Sequence, residues 1–236
     1  MLLAIYTLLT IHLAVVLASL YMHRFVIHRQ YDMSPRTQSV MKVLYWILFD
    51  VASRDFVVQH RKHHEFSDSV VDPHSPRFGY WSLLRNCLIP SFFRPYKIEI
   101  GYDDYQRYGA SVAKESFIEK HPRLGVFLFL CFNVIVFGYY GAVAWLVHMF
   151  VVNLLTIATI TVFGHAHGYR NFALKDYTRN IVPIGILSVG EELHNNHHHD
   201  SRQCNFAVKK NEFDLGYQYL RILNKFNLIQ FKKRVS

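Results

Sequence analysis

Polar and apolar positions divide this chain into unequal blocks. Residues 1–22, MLLAIYTLLTIHLAVVLASLYM, carry no charged side chain, and a run of about 20 apolar residues is what a helix needs to cross a bilayer core. The run lacks the basic start and small-residue cleavage site of a secretory signal, so it predicts a spanning helix. A second apolar block extends from Leu124 to Tyr169 without Asp, Glu, Lys or Arg. At about 1.5 Å of rise per residue it is long enough for two passes. The turn falls at FGYYGA, 137–142, where two glycines interrupt the run and tyrosines suit the membrane interface. The predicted spans are about 1–22, 124–141 and 142–165.

The segments between and after these blocks are amphipathic. Residues 39–58, SVMKVLYWILFDVASRDFVV, have helical spacing but include Lys42, Asp50, Arg54 and Asp55, which predicts a helix along the membrane surface or against the other helices. Pro90 and Pro95 break residues 82–96, which take the same interfacial reading. Residues 214–231 predict an amphipathic packing helix with Leu215, Tyr219, Ile222, Leu223 and Phe226 on one side. No linker or low-complexity tract divides the chain, so 1–236 is expected to be one domain, its cap built from 23–123 and 166–236.

Charge orients this arrangement. The 26 Lys and Arg outnumber 17 Asp and Glu, giving +9, and they lie almost wholly outside the apolar blocks. Basic residues favour the cytoplasmic side, which places the N-terminus outside and the cap inside. The expected fold is therefore an all-α, multi-pass integral membrane protein, with about three transmembrane helices under a cytoplasmic helical cap. The same charge could serve nucleic acid, but no nucleic-acid motif accompanies it, and a membrane accounts for it. Cys87, Cys131 and Cys204 are odd in number and far apart, which implies neither a disulfide framework nor a cysteine metal site.

The 15 histidines carry the candidate chemistry, and most fall in three boxes. The first is H-x4-H, His23 and His28. The second is His60, His63 and His64; the third is His194, His197 and His198. The i, i+3, i+4 spacing of the last two puts three imidazoles on one helix face. The five-residue step of the first does not share a face on a regular helix, so that pair is expected to straddle a helix end. Imidazole suits iron, zinc, copper and nickel. The boxes hold more imidazoles than the roughly four to six that one ion takes, so two ions are implied. All three boxes fall where membrane helices meet the cytoplasm. His165 and His167, at the end of the last span, offer one further ligand, and spacing does not choose between them.

H-x4-H, H-x2-HH and E-x2-H-x2-HH, in this order around two membrane blocks, resemble the membrane fatty acyl desaturases of the acyl-CoA, delta-9-like type. HHEFSDSVVDPHSPRFGYW (63–81), HGYR (167–170) and LSVGEELHNNHH (187–198) are similar to the family's segments around its boxes, and the likeness runs from about residue 20 to 215. The resemblance implies two irons held by His23, His28, His60, His63, His64, His165, His194, His197 and His198, selecting His165 over His167. It also implies dioxygen as co-substrate, a saturated acyl chain on CoA, a carrier protein or a lipid, and a short form without the family's first spanning helix. A desaturase of this kind would sit in a bacterial inner membrane or the endoplasmic reticulum.

The chain departs from the family at three places. Thr161 stands where the family has an asparagine acting through a water, and a hydroxyl also holds a water. Residues 56–59, FVVQ, lack the tryptophan and Arg-Asp pair that commonly precede the second box. After the third box the chain continues HDSR.

Removing hydrogen from an unactivated chain needs an oxidant that a metal cofactor supplies. With no haem domain, flavin motif or CxxC rubredoxin-type site in the sequence, electrons are expected from a separate carrier of cytochrome b5, ferredoxin or rubredoxin type. Glu191, three residues before His194, is a candidate to orient an imidazole, and Asp68, Asp72 and Asp200 are weaker ones. Arg77, Arg85, Arg94 and Lys97 could meet a phosphate headgroup or simply face lipid. His12 and His148 read as packing histidines within the spans, His74 as a family feature without a ligand role, and His121 and His199 as solvent-facing. Two alternatives remain: a related di-iron oxygenase, such as a hydroxylase or a terminal-alkene- or alkyne-forming enzyme, and a membrane metal carrier. A carrier needs polar groups along its spans, and these spans offer little beyond His12, Asn133, His148 and Asn153.

Overall fold

A computed structural model describes residues 1–49, 53–72, 75, 76, 79–88, 100–109 and 116–232. Asp50, His74, Pro90, Arg77, Arg94, Pro95 and Lys97 lie outside the described residues.

The first apolar run forms α1, Leu2–Val16, and continues without a break as a π-wound segment, Leu17–Ile27. The second block forms α7, Pro122–Phe137, and α8, Tyr139–Asn153, which continues as a second π-wound segment, Leu154–Phe163, and the short α9, Gly164–Ala166. The turn between α7 and α8 is where the sequence places it: Gly138 has φ +60°, a left-handed conformation that a residue without Cβ adopts freely. Leu2–Ile27 and Tyr139–Ala166 are long and apolar enough to cross a membrane, whereas Pro122–Phe137 is shorter. Leu8 and Leu9 of α1, Phe127 and Ile135 of α7, and Leu146 and Phe150 of α8 all point outward. A surface this apolar on three neighbouring helices suits lipid rather than water.

The predicted single helix over 39–58 is two. α2, Pro35–Leu48, starts with Ser34, whose Oγ accepts the Thr37 N–H at 3.2 Å, and with Pro35 in its first turn. It leaves helical geometry at Phe49 (φ −129°, ψ 136°), and α3 spans Ser53–Phe66. α2 packs against α7 and the first π segment, while α3 carries the second histidine box. The separation frees α3 to take its own direction. Of the 82–96 stretch the described part continues α4, Tyr80–Leu88. Two short helices follow, α5 (Tyr102–Tyr108) and α6 (Phe117–Lys120).

The third box forms α10, His194–His199, and the C-terminal stretch forms α11, Leu215–Lys225. α11 is shorter than predicted and is turned. Gly216 and Leu220 are buried, Tyr219 and Leu223 pack behind them, and Ile222 and Phe226 face outward. Among the described residues the regular structure is helical except for four short strands that the pattern did not indicate. β1 (Tyr31–Met33) pairs antiparallel with β4 (Ile229–Phe231), and β2 (Ile184–Gly185) pairs parallel with β3 (Phe213–Asp214). The first ladder ties the C-terminal segment to the chain just after the first long helix, and the second ties residues 213–214 to the loop before the third histidine box. The core beneath is apolar, with Val15, Leu17, Met22, Phe49, Val152 and Ala158 buried together.

Candidate metal centre

The nine histidines come from four elements and meet in two groups. His23, His28, His60, His64 and His197 form one, and His63, His165, His194 and His198 the other; within each, the candidate ligand atoms lie within 4.8 Å of one another. The i, i+3, i+4 boxes are not read by one ion each. The i, i+4 pair of α3, His60 and His64, faces the five-histidine group while His63 faces the four. α10 reverses this, sending His194 and His198 to the four and His197 to the five. Successive positions i+3 and i+4 fall on opposite sides of the helix line through residue i, so each short helix straddles both groups.

The first box is joined by a different device. At the end of the π-wound segment the His28 N–H bonds to the His23 carbonyl at 3.1 Å. Winding that closes i to i+5 brings residues five apart onto one side. The expectation that the pair straddles a helix end holds, since His28 caps the segment, but the shared face comes from the winding. The second π segment leads in the same way to His165, which is buried, while His167 is exposed with its Nε2 3.3 Å from the Tyr80 hydroxyl.

Carboxylates fix the tautomers. His63 Nδ1 lies 2.9 Å from both oxygens of Asp72, His165 Nδ1 2.8 Å from Asp68 Oδ2, and His198 Nδ1 3.2 Å from Asp176 Oδ2. Glu191 Oε2 is 2.8 Å from His23 Nδ1, off the line of an ideal hydrogen bond. An ionised carboxylate only accepts, so these Nδ1 atoms carry protons and each Nε2 presents a lone pair. Nε2 atoms of the nine histidines converge: His23 to His60 at 3.0 Å, His60 to His64 at 3.0 Å, His64 to His197 at 3.1 Å, and His165 to His194 at 3.1 Å. The Nε2 atoms of His28 and His198 are buried without a hydrogen-bond partner.

Burial, and then the neighbouring imidazoles, push His28, His60, His64, His194, His197 and His198 well below the usual histidine range. They are neutral at pH 7. Converging neutral lone pairs repel unless a cation lies between them, so the donor set fits two metal ions.

The carboxylates are held in turn. Burial opposes ionisation of Asp68, but bonds from His165, Ser75 Oγ (2.6 Å) and the Tyr177 N–H (2.8 Å) hold it well below the usual range. Glu191 is likewise buried, and His23 and Arg24 keep its carboxyl low. It was expected one helical turn from His194, but α10 begins at His194, and Glu191 serves His23 instead. Asp200 accepts the Arg202 N–H, a local turn contact.

Spacing gave no sign of Asp176, Asp214 or Ser19. Arg24 had a signal, as the first charge after the uncharged run. Its side chain is fully buried, bonds both oxygens of Asp214 at 3.0 Å, approaches Glu191 at 3.4 Å and lies 3.9 Å over the Phe206 ring. Asn196 is a second hidden organiser: its side chain bonds Asn171, Asn180, Glu212 and the Phe206 carbonyl.

A narrow cavity, with about 30 Å³ of free space, ends against His23, His60, His63 and His194. Val15, Ala18, Tyr45, Phe49, Phe56, Ile157 and Ile160 give it apolar walls, and Thr161 and Glu191 add polar positions. The packing histidines stand apart from this site. His148 is buried, with Nε2 3.1 Å from the Leu48 carbonyl and Nδ1 3.3 Å from Thr10 Oγ1, and His12 Nε2 lies 2.8 Å from the Tyr219 hydroxyl. His121 and His199 are exposed, the latter stacked on Phe172 at 3.6 Å, and Arg85 is exposed on α4.

Residues 1–206 match the model of the family described as fatty acid desaturase. A hex-5-enoyl-[acyl-carrier protein] acetylenase of Moorena producens is 30% identical, over 88% of this chain and 70% of that protein. An sn-1 stearoyl-lipid 9-desaturase of Synechocystis is 24% identical, over 87% of this chain and 64% of its own length. An acyl-CoA Delta(11) desaturase of Choristoneura rosaceana is 26% identical, over 75% and 54%. The chain thus spans between about half and two thirds of the length of most such relatives. With the match covering the three histidine boxes and both apolar blocks, this chain belongs to the fatty acid desaturase family, a family of oxidoreductases.

Proposed function

We propose that the chain is a di-iron, dioxygen-dependent desaturase that introduces a cis double bond into a saturated fatty acyl chain. The observation that carries this reading is the apolar cavity that ends against four of the nine converging histidines. His23, His28, His60, His64 and His197 would hold one iron, and His63, His165, His194 and His198 the other. Two irons supplied with dioxygen and two external electrons provide an oxidant strong enough for an unactivated methylene. The chain's own residues bind and orient. Val15, Ala18, Ile157 and Ile160 line the path of a hydrocarbon chain and exclude water from it, and Asp68, Asp72, Asp176 and Glu191 keep the imidazole protons on Nδ1. Thr161, on the cavity wall, would hold a water where the family carries an asparagine.

In this reading the protein crosses the membrane three times with its N-terminus outside, and the catalytic cap is cytoplasmic. The acyl chain arrives on CoA, a carrier protein or a lipid, and a separate redox protein delivers electrons. The test is a fatty-acid profile in a desaturase-deficient host that supplies electron carriers, beside a His197→Ala control. A new monounsaturated acid absent from the control is the expected result; identical profiles from two well-expressed, iron-loaded proteins would refute the reading. One observation favours a second reading, an alkyne- or terminal-alkene-forming enzyme: the similarity to the Moorena acetylenase. In the same experiment it would yield product only from an already unsaturated or shorter chain.

A further inference from the structure

The two histidine groups differ in what stands behind them. In the four-histidine group three imidazoles back onto carboxylates through Nδ1: His63 onto Asp72, His165 onto Asp68 and His198 onto Asp176. In the five-histidine group one does, His23 onto Glu191. Among the described residues, no carboxylate lies within ion-pair distance of His28, His60, His64 or His197, while His197 Nδ1 and, in the other group, His194 Nδ1 are buried without a hydrogen-bond partner.

The charges are also offset differently. Glu191 sits beside Arg24, a buried cation that shares itself with Asp214. Asp68 and Asp72 are clamped to each other, the Asp68 N–H bonding Asp72 Oδ2 at 2.7 Å. Asp176 has Arg170 at 3.7 Å. Asp68 also adopts φ +59°, a conformation unfavourable for a residue with a side chain. Bonds to His165, Ser75 and Tyr177 hold it there. One loop thus clamps imidazoles from α3 and α9 at once.

A carboxylate that accepts the N–H of a ligating imidazole raises the basicity of its other nitrogen. Negative charge in a poorly solvated site favours the more highly charged state of a nearby cation. We infer that Asp68, Asp72 and Asp176 are positioning residues that make the four-histidine group the electron-rich half of the pair. Its ion binds more firmly and is oxidised more readily than its five-histidine neighbour. The group with fewer imidazoles is compensated by anionic backing. This inference rests on the assignment of two irons in the proposed function.

The experiment uses the full chain purified with a Mössbauer-active iron isotope and poised at stepped potentials. Iron content is counted first, because a chain that takes up no iron overturns the proposed function and the inference with it. With two irons bound, two spectral components are expected, one oxidised at the lower potential. Asp72→Asn and Asp176→Asn should raise the potential of that same component by at least a tenfold change in its oxidised-to-reduced ratio, about 59 mV for one electron. They should also weaken its iron by about 10–100-fold. Glu191→Gln should move the other component, and Asp176→Glu should restore the original value. Asp176 is half-buried, so its variants test the point if Asp72→Asn does not fold. Two components that oxidise together in the unaltered chain would overturn the inference. So would Asp176→Asn and Glu191→Gln acting on the same component.

Discussion

Arg24→Met removes the guanidinium buried behind the first histidine box. The arginine side chain has no solvent exposure and donates to both Asp214 oxygens at 3.0 Å, to the Cys204 carbonyl at 2.7 Å and to the Val189 carbonyl at 3.3 Å. Methionine fills much of the volume but leaves Asp214 and Glu191 facing each other without the cation between them. Asp214 keeps the Phe206 and Tyr217 N–H groups, at 2.8 and 2.9 Å, and Glu191 keeps Ser19 at 2.6 Å, so the carboxylates retain donors but not a counter-charge. Removing one partner of a buried ion pair costs about 3–5 kcal/mol, against a total stability of about 5–15 kcal/mol. At about 2–4 °C per kcal/mol for a chain of this size, the melting temperature should fall by roughly 6–20 °C. The assay is thermal unfolding of the detergent-solubilised, metal-loaded protein, with Arg24→Lys and Arg24→Met/Asp214→Asn beside it. Lysine should recover part of the loss, keeping charge without the bidentate geometry, and the double variant should recover part by removing one orphaned carboxylate. A fall below about 1 kcal/mol for Arg24→Met would refute the reasoning, because it would mean that these carboxylates need no buried cation.

Other outcomes follow from the same geometry. A Cβ on Gly164 would lie 2.9 Å from His194 Cδ2, so Gly164→Ala should displace that ring and lower the metal bound per chain by metal analysis while α8 stays folded; unchanged loading would contradict the packing. Ala18→Trp, which narrows the cavity, should abolish product in the fatty-acid profile and leave iron content intact. Asn196→Ala strands partners on Asn180, Glu212 and Phe206, at about 1–3 kcal/mol for each buried group left unsatisfied, and should lower the melting temperature by several degrees. Chelation should also lower it, since ions held by the two groups would tie four elements together; a melting temperature indifferent to chelator would count against occupancy of both groups.

The sequence by itself determined the apolar runs, the turn at Gly138 and the three histidine boxes. Each is a local property: hydrophobicity, a glycine among large residues, or imidazoles a few positions apart. Only the tertiary structure decided which histidines share a group. That depends on how α3 and α10 cross and on π-winding, which rotates His28 onto the side of His23 and which no residue pattern announced. The carboxylates behind the imidazoles were equally hidden, because Asp68 and His165, or Arg24 and Asp214, are brought together by long-range folding. The sequence showed the length of the apolar helices but not the break at Phe49, where propensity favoured continuing and packing did not. Ligand chemistry resides in side chains and is readable in order along the chain. Its assignment to one ion or the other is set by distances of a few ångströms between distant segments, and those exist only once the core has packed.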